Sequence, residues 1–473
     1  MPQVEQKIDM KNIQQAMQED LASKEIFEMA QSFGFDYLEK STSRHIFPTS
    51  QAVDNLKFFD EPFPVAAAPA KEVINLLQQY GSPATVSQIG GRYFGFVDGG
   101  AVPAGMAAKL LGTFWDQNTA MYVMSPICSK LETVVESWLK ELFQLPPSAV
   151  AGFVSGTSPA NFCGLAAGRW RLLKRQHWDV NAKGLYNAPP IRIVAGKHAH
   201  STVIKAINLL GMGNENVEWI DVDDQGRIDP SALPALDDKT LLILQAGEVN
   251  TGSFDPFAEL ISKAKAANAW VHVDGAFGLW AAASPQLAHL TAGMNQADSF
   301  AADAHKTLNT PYDSGIVLCS DKEAYLSALQ ISGSYLATSD QARDGMLYTQ
   351  EASRRSRIIE LWATLKFLGR SGLAEMINNL HARALQFAAA LKKVGGFEIV
   401  NNVVFNQVLV RCDSDEKTAQ VLGRIQEFRD CWVGGSVWQG RKVIRISVCS
   451  WATTEDDVVK SAMSFKKAME SDY

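Results

Sequence analysis

The stretch Ala301-Ala-Asp-Ala-His305-Lys306, with His272-Val-Asp274-Gly-Ala276 shortly before it, decides how this chain reads. Each segment has the character of a buried strand that ends on a polar residue. One presents a carboxylate and the next a lysine beside a histidine. Lys306 follows Asp274 by roughly 30 residues, about one strand–helix–strand unit, so the two fall on neighbouring parallel strands. An amine able to form an imine, opposite an acid able to keep a ring nitrogen protonated, is the smallest set of groups that suits pyridoxal phosphate chemistry.

Working outward, the segment from about Gly90 to Ser320 alternates apolar runs with amphipathic helical patterns. That pattern predicts an α/β fold with a mainly parallel central sheet and helices on both faces. The expected strands are 151–154, 191–195, 217–220, 241–246, 270–274, 299–302 and 315–319. Helices are expected at 159–175, 201–210 and 257–267 between them. Residues 10–33 read as one helix lying on another surface, and 70–80 as a further helix. Residues 332–356 are a polar loop, long enough for a functional role or for disorder. A long helical region from Arg357 to about Val394 leads into alternating strands and helices, a smaller C-terminal α+β domain. The expected division is 1–89 as an N-terminal helical segment, 90–356 as the large domain and 357–473 as the small one.

Three further segments, like Asp274 itself, fall at the carboxyl ends of expected strands, where open α/β sheets bind ligands. In Ser155-Gly156-Thr157-Ser158-Pro159-Ala-Asn161, Gly156 permits a tight turn, Ser158 suits a helix cap and Pro159 a first helical position. The free N–H groups there, with the Thr157 and Ser158 hydroxyls, suit a phosphate; an ordinary capped helix explains them as well. His198-Ala-His200-Ser201 offers a histidine able to stack on a flat ring, or a surface loop. Gln245-Ala-Gly247-Glu-Val-Asn250-Thr-Gly252 permits close approach of a planar ligand, and turn chemistry explains it equally. Asp274 itself is a buried acid in need of a partner: a pyridinium, an arginine or a helix start.

Composition narrows the function classes. The chain has 473 residues, 47% hydrophobic and 20% charged, with a net charge of −7. That gives no electrostatic reason to expect nucleic acid or an anionic membrane. No apolar run approaches the ~18 residues of a membrane span, and the first thirty residues lack an apolar signal-peptide centre. The six cysteines are dispersed, without a Cys-x-x-Cys pair. This predicts a reducing, cytoplasmic setting and no metal site.

Taken with Ser125-Pro126 and Leu131-Glu-Thr, Ala199-His200-Ser201, Asp303-Ala-His305-Lys306 and Ser353-Arg354-Arg355, the chain resembles the pyridoxal-dependent group II amino-acid decarboxylases from about Arg92 to Thr454. The resemblance implies the fold type I, aspartate-aminotransferase-like architecture and decarboxylation of an L-amino acid to its amine and carbon dioxide. It implies that Lys306 carries the cofactor as an internal aldimine, that Asp274 pairs with the ring nitrogen and stabilises the quinonoid, and that His200 stacks on the ring. Gly156, Thr157 and Ser158 then hold the phosphate, with Asn250, Ala276 and His305 as further cofactor contacts. It also implies a homodimer with sites at the subunit interface. The family's proton-delivering loop tyrosine falls on Gly345 here, leaving Tyr348 as the candidate. The pocket segment Arg92-Tyr-Phe94-Gly-Phe96-Val-Asp98-Gly99 lacks the proline–threonine pair of the aromatic decarboxylases. Phe94, Phe96, Trp115 and Tyr122 could line a pocket or the core. Arg445 could meet a substrate carboxylate or form an interdomain ion pair. The alternative reading is another fold type I enzyme, an aldehyde synthase or carbon–carbon lyase.

Overall fold

Short Val/Ile/Leu/Ala-rich runs make the strands. A computed structural model of the chain describes residues 13–331 and 342–471. In chain order the strands are Tyr93–Phe94 (β1), Val150–Val154 (β2), Arg192–Gly196 (β3), Val217–Ile220 (β4), Thr240–Gln245 (β5), Trp270–Asp274 (β6), Ser299–Asp303 (β7) and Gly315–Cys319 (β8). Glu398–Ile399 (β9), Gln407–Arg411 (β10), Trp432–Trp438 (β11) and Arg441–Ser447 (β12) follow. β2 to β8 form one seven-stranded sheet in the order β2-β8-β7-β6-β5-β3-β4. The pairs from β4 through β7 are parallel, and β8 runs antiparallel to both β7 and β2. All seven lie where the sequence places them, to within one residue at each end.

The central strands are buried along their whole length, which is why they read as continuous apolar runs rather than alternating ones. Side chains still alternate between faces. Leu242 and Leu244 of β5 enter a core shared with the helices Pro126–Leu142 and Ile358–Val394. Leu241 and Ile243 enter the opposite core, beneath Thr157–Arg175 and Ser201–Leu209. The chain leaves β3 toward β4 on one side and β5 toward β6 on the other. The sheet order therefore reverses between β3 and β5, the position where such sheets open a crevice at their carboxyl ends.

The second sheet, β1-β11-β12-β10-β9, packs with Asp415–Phe428 and Glu455–Glu470 around its own core. Its edge strand β1 comes from far upstream and pairs parallel with β11. Two residues are too few to show a period, so the sequence does not announce β1. The expected helix over 10–33 is two helices, Ile13–Ser23 and Glu25–Lys40, broken where Lys24 takes a left-handed conformation at φ 62°. Residues 10–12 of that expectation, and 332–341 of the expected polar loop, lie outside the described residues. Its remainder includes a 3-10 turn, Gly345–Tyr348.

Candidate active site

A cavity of about 420 Å³ opens at the carboxyl end of the central sheet. Ser155, Gly156, Thr157 and Ser158 line it from the loop after β2 and the first turn of Thr157–Arg175. His200 lines it from the loop after β3, Gln245 and Gly247 from that after β5, and Asp274 and Ala276 from the end of β6. Asp303, His305 and Lys306 come from the end of β7. Lys306 and Asp274 thus face one space.

Lys306 Nζ lies 3.0 Å from Asp303 Oδ2. Burial disfavours the ammonium, but the charge and hydrogen bond of Asp303, together with the charge of Asp274, outweigh it, and the amine is held above its ordinary range. His305 extends this cluster. Its Nδ1 accepts from the Ser314 N–H at 3.1 Å, its Nε2 stands 3.6 Å from Asp303 Oδ1, and its ring stacks on Tyr312 with centroids 4.2 Å apart. Burial pushes His305 below its usual value, with Lys306 adding to the effect.

Asp274 is 3% exposed. Its Oδ2 accepts from Asn161 Nδ2 at 3.2 Å and its Oδ1 from the Ala276 N–H at 3.1 Å. Both donors are neutral. Burial raises its pKa, against the opposing charges of His200 and Lys306. Because Asn161 spends its amide nitrogen on the carboxylate, its Oδ1 faces His272 Nε2 at 2.9 Å, which places the imidazole proton on Nε2. His272 Nδ1 then accepts from the Ser299 hydroxyl at 2.8 Å, and burial takes this histidine down to about 3, so it stays neutral. A chain of neutral, fully buried groups therefore fixes the acid from behind.

His200 caps the helix Ser201–Leu209. Its Nδ1 accepts from the Thr202 N–H at 3.3 Å and lies 2.8 Å from Thr202 Oγ1. Burial lowers its pKa, giving a neutral ring on the cavity wall with Nε2 as the protonated nitrogen. Thr157 Oγ1 is buried with no hydrogen bond beyond a poorly aligned approach to the Asp303 carboxylate, at the start of a helix whose first residues line the same cavity. An oxyanion fits that corner. A protonated ring nitrogen fits Asp274, whose hydrogen-bond partners carry no positive charge. The residues present therefore fit pyridoxal phosphate.

Other expected residues lie away from this cavity. Asn250 does not line the cavity: its Nδ2 donates to Glu248 Oε1 at 3.0 Å and its Oδ1 accepts from Ser436 at 2.7 Å, tying the loop after β5 to β11. Tyr348 does not line it either. Its ring lies 3.7 Å from the Arg343 guanidinium and its carbonyl accepts from Tyr325, so packing and a cation–π contact hold it outside. Phe94 belongs to the small-domain core, while Phe96, Trp115 and Tyr122 are exposed. Arg445 donates to the Val249 carbonyl at 3.0 Å. Sequence reasoning quoted Asp98, Asn161 and Asp303 without giving them roles, and missed Tyr312. For Asp303 the signal was an acid three positions before a lysine at a strand end.

Gly345 is wedged into a buried ion cluster. Glu132 takes Arg354 Nη2 at 2.7 Å and Arg343 Nε at 2.8 Å, and Glu136 takes Arg343 Nη1 at 2.6 Å. A Cβ at Gly345 would collide with Arg354 Nη2 and stand 2.5 Å from the Thr119 carbonyl. Gly345→Tyr is therefore expected to lose at least about 2 kcal/mol of stability through overpacking, read as a lower urea midpoint. A variant as stable as the parent would show that the loop rearranges freely.

Residues 54–412 match the family described as "Pyridoxal-dependent decarboxylase conserved domain". An aromatic-L-amino-acid decarboxylase of Bacillus atrophaeus is 24% identical over 447 residues, covering 89% of this chain and 91% of the relative. A 4-hydroxyphenylacetaldehyde synthase of Rhodiola rosea is 25% identical over 436 residues, covering 87% and 86%. Among solved structures, that of Oryza sativa TDC with PLP and tryptamine superposes with a TM-score of 0.87 at 23% identity, covering 95% of this chain and 98% of that one. That likeness establishes the fold type I architecture with its smaller C-terminal domain.

Proposed function

This chain belongs to the pyridoxal-dependent decarboxylases, and from that premise we propose that it converts an L-amino acid to the corresponding amine and carbon dioxide at the cavity built around Lys306. One observation carries the reading: Lys306 and Asp274 line the same space, with the helix start at Thr157 on a third side. When bound, pyridoxal phosphate supplies an electron sink for the pair left at Cα as carbon dioxide departs. Thr157 and Ser158, with the turn at Gly156, hold the phosphate by hydroxyls and helix-start amides. Asp274 keeps a proton on the ring nitrogen, and the Asn161–His272–Ser299 chain keeps Asp274 in place. The neutral ring of His200, with Ala276 and His305, lines the space that the cofactor would take. Lys306 Nζ is the exchanging amine, and Asp303 maintains a proton on it for return to Cα.

The aldehyde-forming alternative draws on one specific feature: glycine at 345, with Tyr348 packed outside the cavity. Product analysis decides. The decarboxylase reading predicts amine and carbon dioxide in equal amounts, without ammonia or peroxide, from at least one amino acid in a panel. Aldehyde with stoichiometric peroxide would assign the other chemistry.

We read the working form as a cytoplasmic homodimer. All six cysteines are free and buried, as a reducing compartment permits. The helices Ile13–Ser23 and Glu25–Lys40 bury none of their residues; Met17, Leu21, Phe35 and Leu38 are exposed, and Phe27 sets its ring 5.9 Å from that of the exposed Phe114. An apolar surface of this kind suits a second copy. Sedimentation velocity on the holoenzyme reads its mass, and a monomer at micromolar concentration would refute the dimer.

A further inference from the structure

Three carboxylates line the cavity, and one of them is left over. Asp303 pairs with Lys306, and Asp274 is taken by the ring nitrogen on the reading above. Asp98 has neither kind of partner. Its Oδ1 accepts from the Tyr312 hydroxyl at 2.9 Å and its Oδ2 from Gln88 Nε2 at 3.2 Å, and both donors are neutral. Among the described residues no lysine, arginine or histidine forms an ion pair with it. Arg445 feels its charge through space but spends Nη1 on the Val249 carbonyl. Against these three carboxylates, the only lysine or arginine lining the cavity among the described residues is Lys306.

The position of Asp98 is built rather than incidental. Gly99 lets the chain pass directly against the active-site lysine: a Cβ there would collide with the Lys306 carbonyl and stand 2.6 Å from that of His305. The Gly100 N–H is fixed by Asn309 Oδ1 at 2.7 Å. Tyr312, stacked on His305, brings its hydroxyl to the same carboxylate. Asp98 is therefore held at the cavity, adjacent to Lys306 in space, by neutral groups alone.

We propose that Asp98 selects substrates whose side chain ends in a cation, an amine or guanidinium. The inference rests on the decarboxylase reading and names its substrate class. An aromatic side chain entering this space strips water from Asp98 and returns no counter-charge; an acidic one meets like charge. A cationic side chain supplies the missing partner, in a site where desolvation strengthens the pairing.

The test compares carbon dioxide release by the holoenzyme from L-lysine, L-ornithine, L-2,4-diaminobutyrate and L-arginine with that from L-tyrosine, L-tryptophan and L-glutamate. The best cationic substrate is expected to lead the best of the others by about 100-fold in kcat/KM. Asp98→Asn is expected to reduce the ratio of kcat/KM for that substrate over the uncharged analogue L-norleucine by about 100-fold, and Asp98→Glu to keep most of it. Calorimetry adds a readout independent of turnover: wild-type holoenzyme should bind cadaverine or putrescine at least about 10-fold more tightly than pentylamine. An aromatic or acidic preference, or an unmoved ratio in Asp98→Asn, would overturn the assignment while leaving decarboxylation standing. If no amino acid releases carbon dioxide, the decarboxylase reading itself fails. Equal affinity for diamine and monoamine would then dispose of Asp98 separately. Should Asp98→Asn not fold, the wild-type panel and the calorimetry decide.

Discussion

Lys306→Ala is expected to lower turnover by at least about 10⁴-fold, because it removes the reacting amine rather than weakening a contact. No other lysine lines the cavity, so nothing among the described residues can take over the exchange. The substitution also strands Asp303, which is 2% exposed and has Lys306 Nζ as its nearest cation at 3.0 Å. A buried carboxylate that loses its cation costs several kcal/mol unless it takes up a proton. Loss of activity in the alanine variant alone could therefore reflect a damaged site. Lys306→Arg separates the two effects. It restores a positive charge near Asp303 yet cannot exchange as a primary amine. The arginine variant should melt close to the parent and remain inactive. Neither variant should show the visible-edge absorbance of enzyme-linked cofactor after dialysis. Measurable turnover by Lys306→Arg would remove the lysine from its proposed role.

The large domain was legible because its signals are local and strong. Trp270–Asp274 and Ser299–Asp303 are short apolar runs bounded by polar residues, and their burial on both faces leaves no other reading. Acid and amine could be placed because each ends its own strand. The placements that were not legible have a different origin. Asn250 and Tyr348 sit in segments of the right composition, but their direction is set by partners far away in sequence, Ser436 for one and Arg343 within the Glu132 cluster for the other. Tyr312 and Asp98 are separated by some two hundred residues and meet where the chain, after pairing as β1 with the small sheet, passes against Lys306. Sequence periodicity carries no information about such a meeting. Asn161 was visible as a residue but not as a support, since its role exists only through His272 on the adjoining strand.

The Asp274→Ala variant is expected to retain its fold and cofactor yet lose roughly 10³-fold in kcat, since the carboxylate acts on charge that develops during reaction. Its buried surroundings make the effect large. In a medium of low polarisability, a fixed negative charge opposite the ring nitrogen is worth far more than it would be in water. The partners of the acid bear this out: Asn161 and Ala276 orient it without neutralising it, and His272 is held neutral behind Asn161. Removing the carboxylate leaves those buried donors without an acceptor, but the shorter side chain opens the space beside them to water from the cavity, so the structural penalty stays modest. The electronic penalty does not, because nothing else at the end of β6 carries negative charge. The two can be told apart experimentally. A purely structural role would raise KM and weaken cofactor retention, with kcat little changed. The charge role lowers kcat at saturating substrate and cofactor and leaves the thermal midpoint close to the parent. Asn161→Leu should reproduce part of the effect, about 10-fold, by freeing the carboxylate to turn. Near-parental kcat in Asp274→Ala would mean that the ring nitrogen is protonated by some other group, and that the acid at the strand end is only a buried hydrogen-bond acceptor.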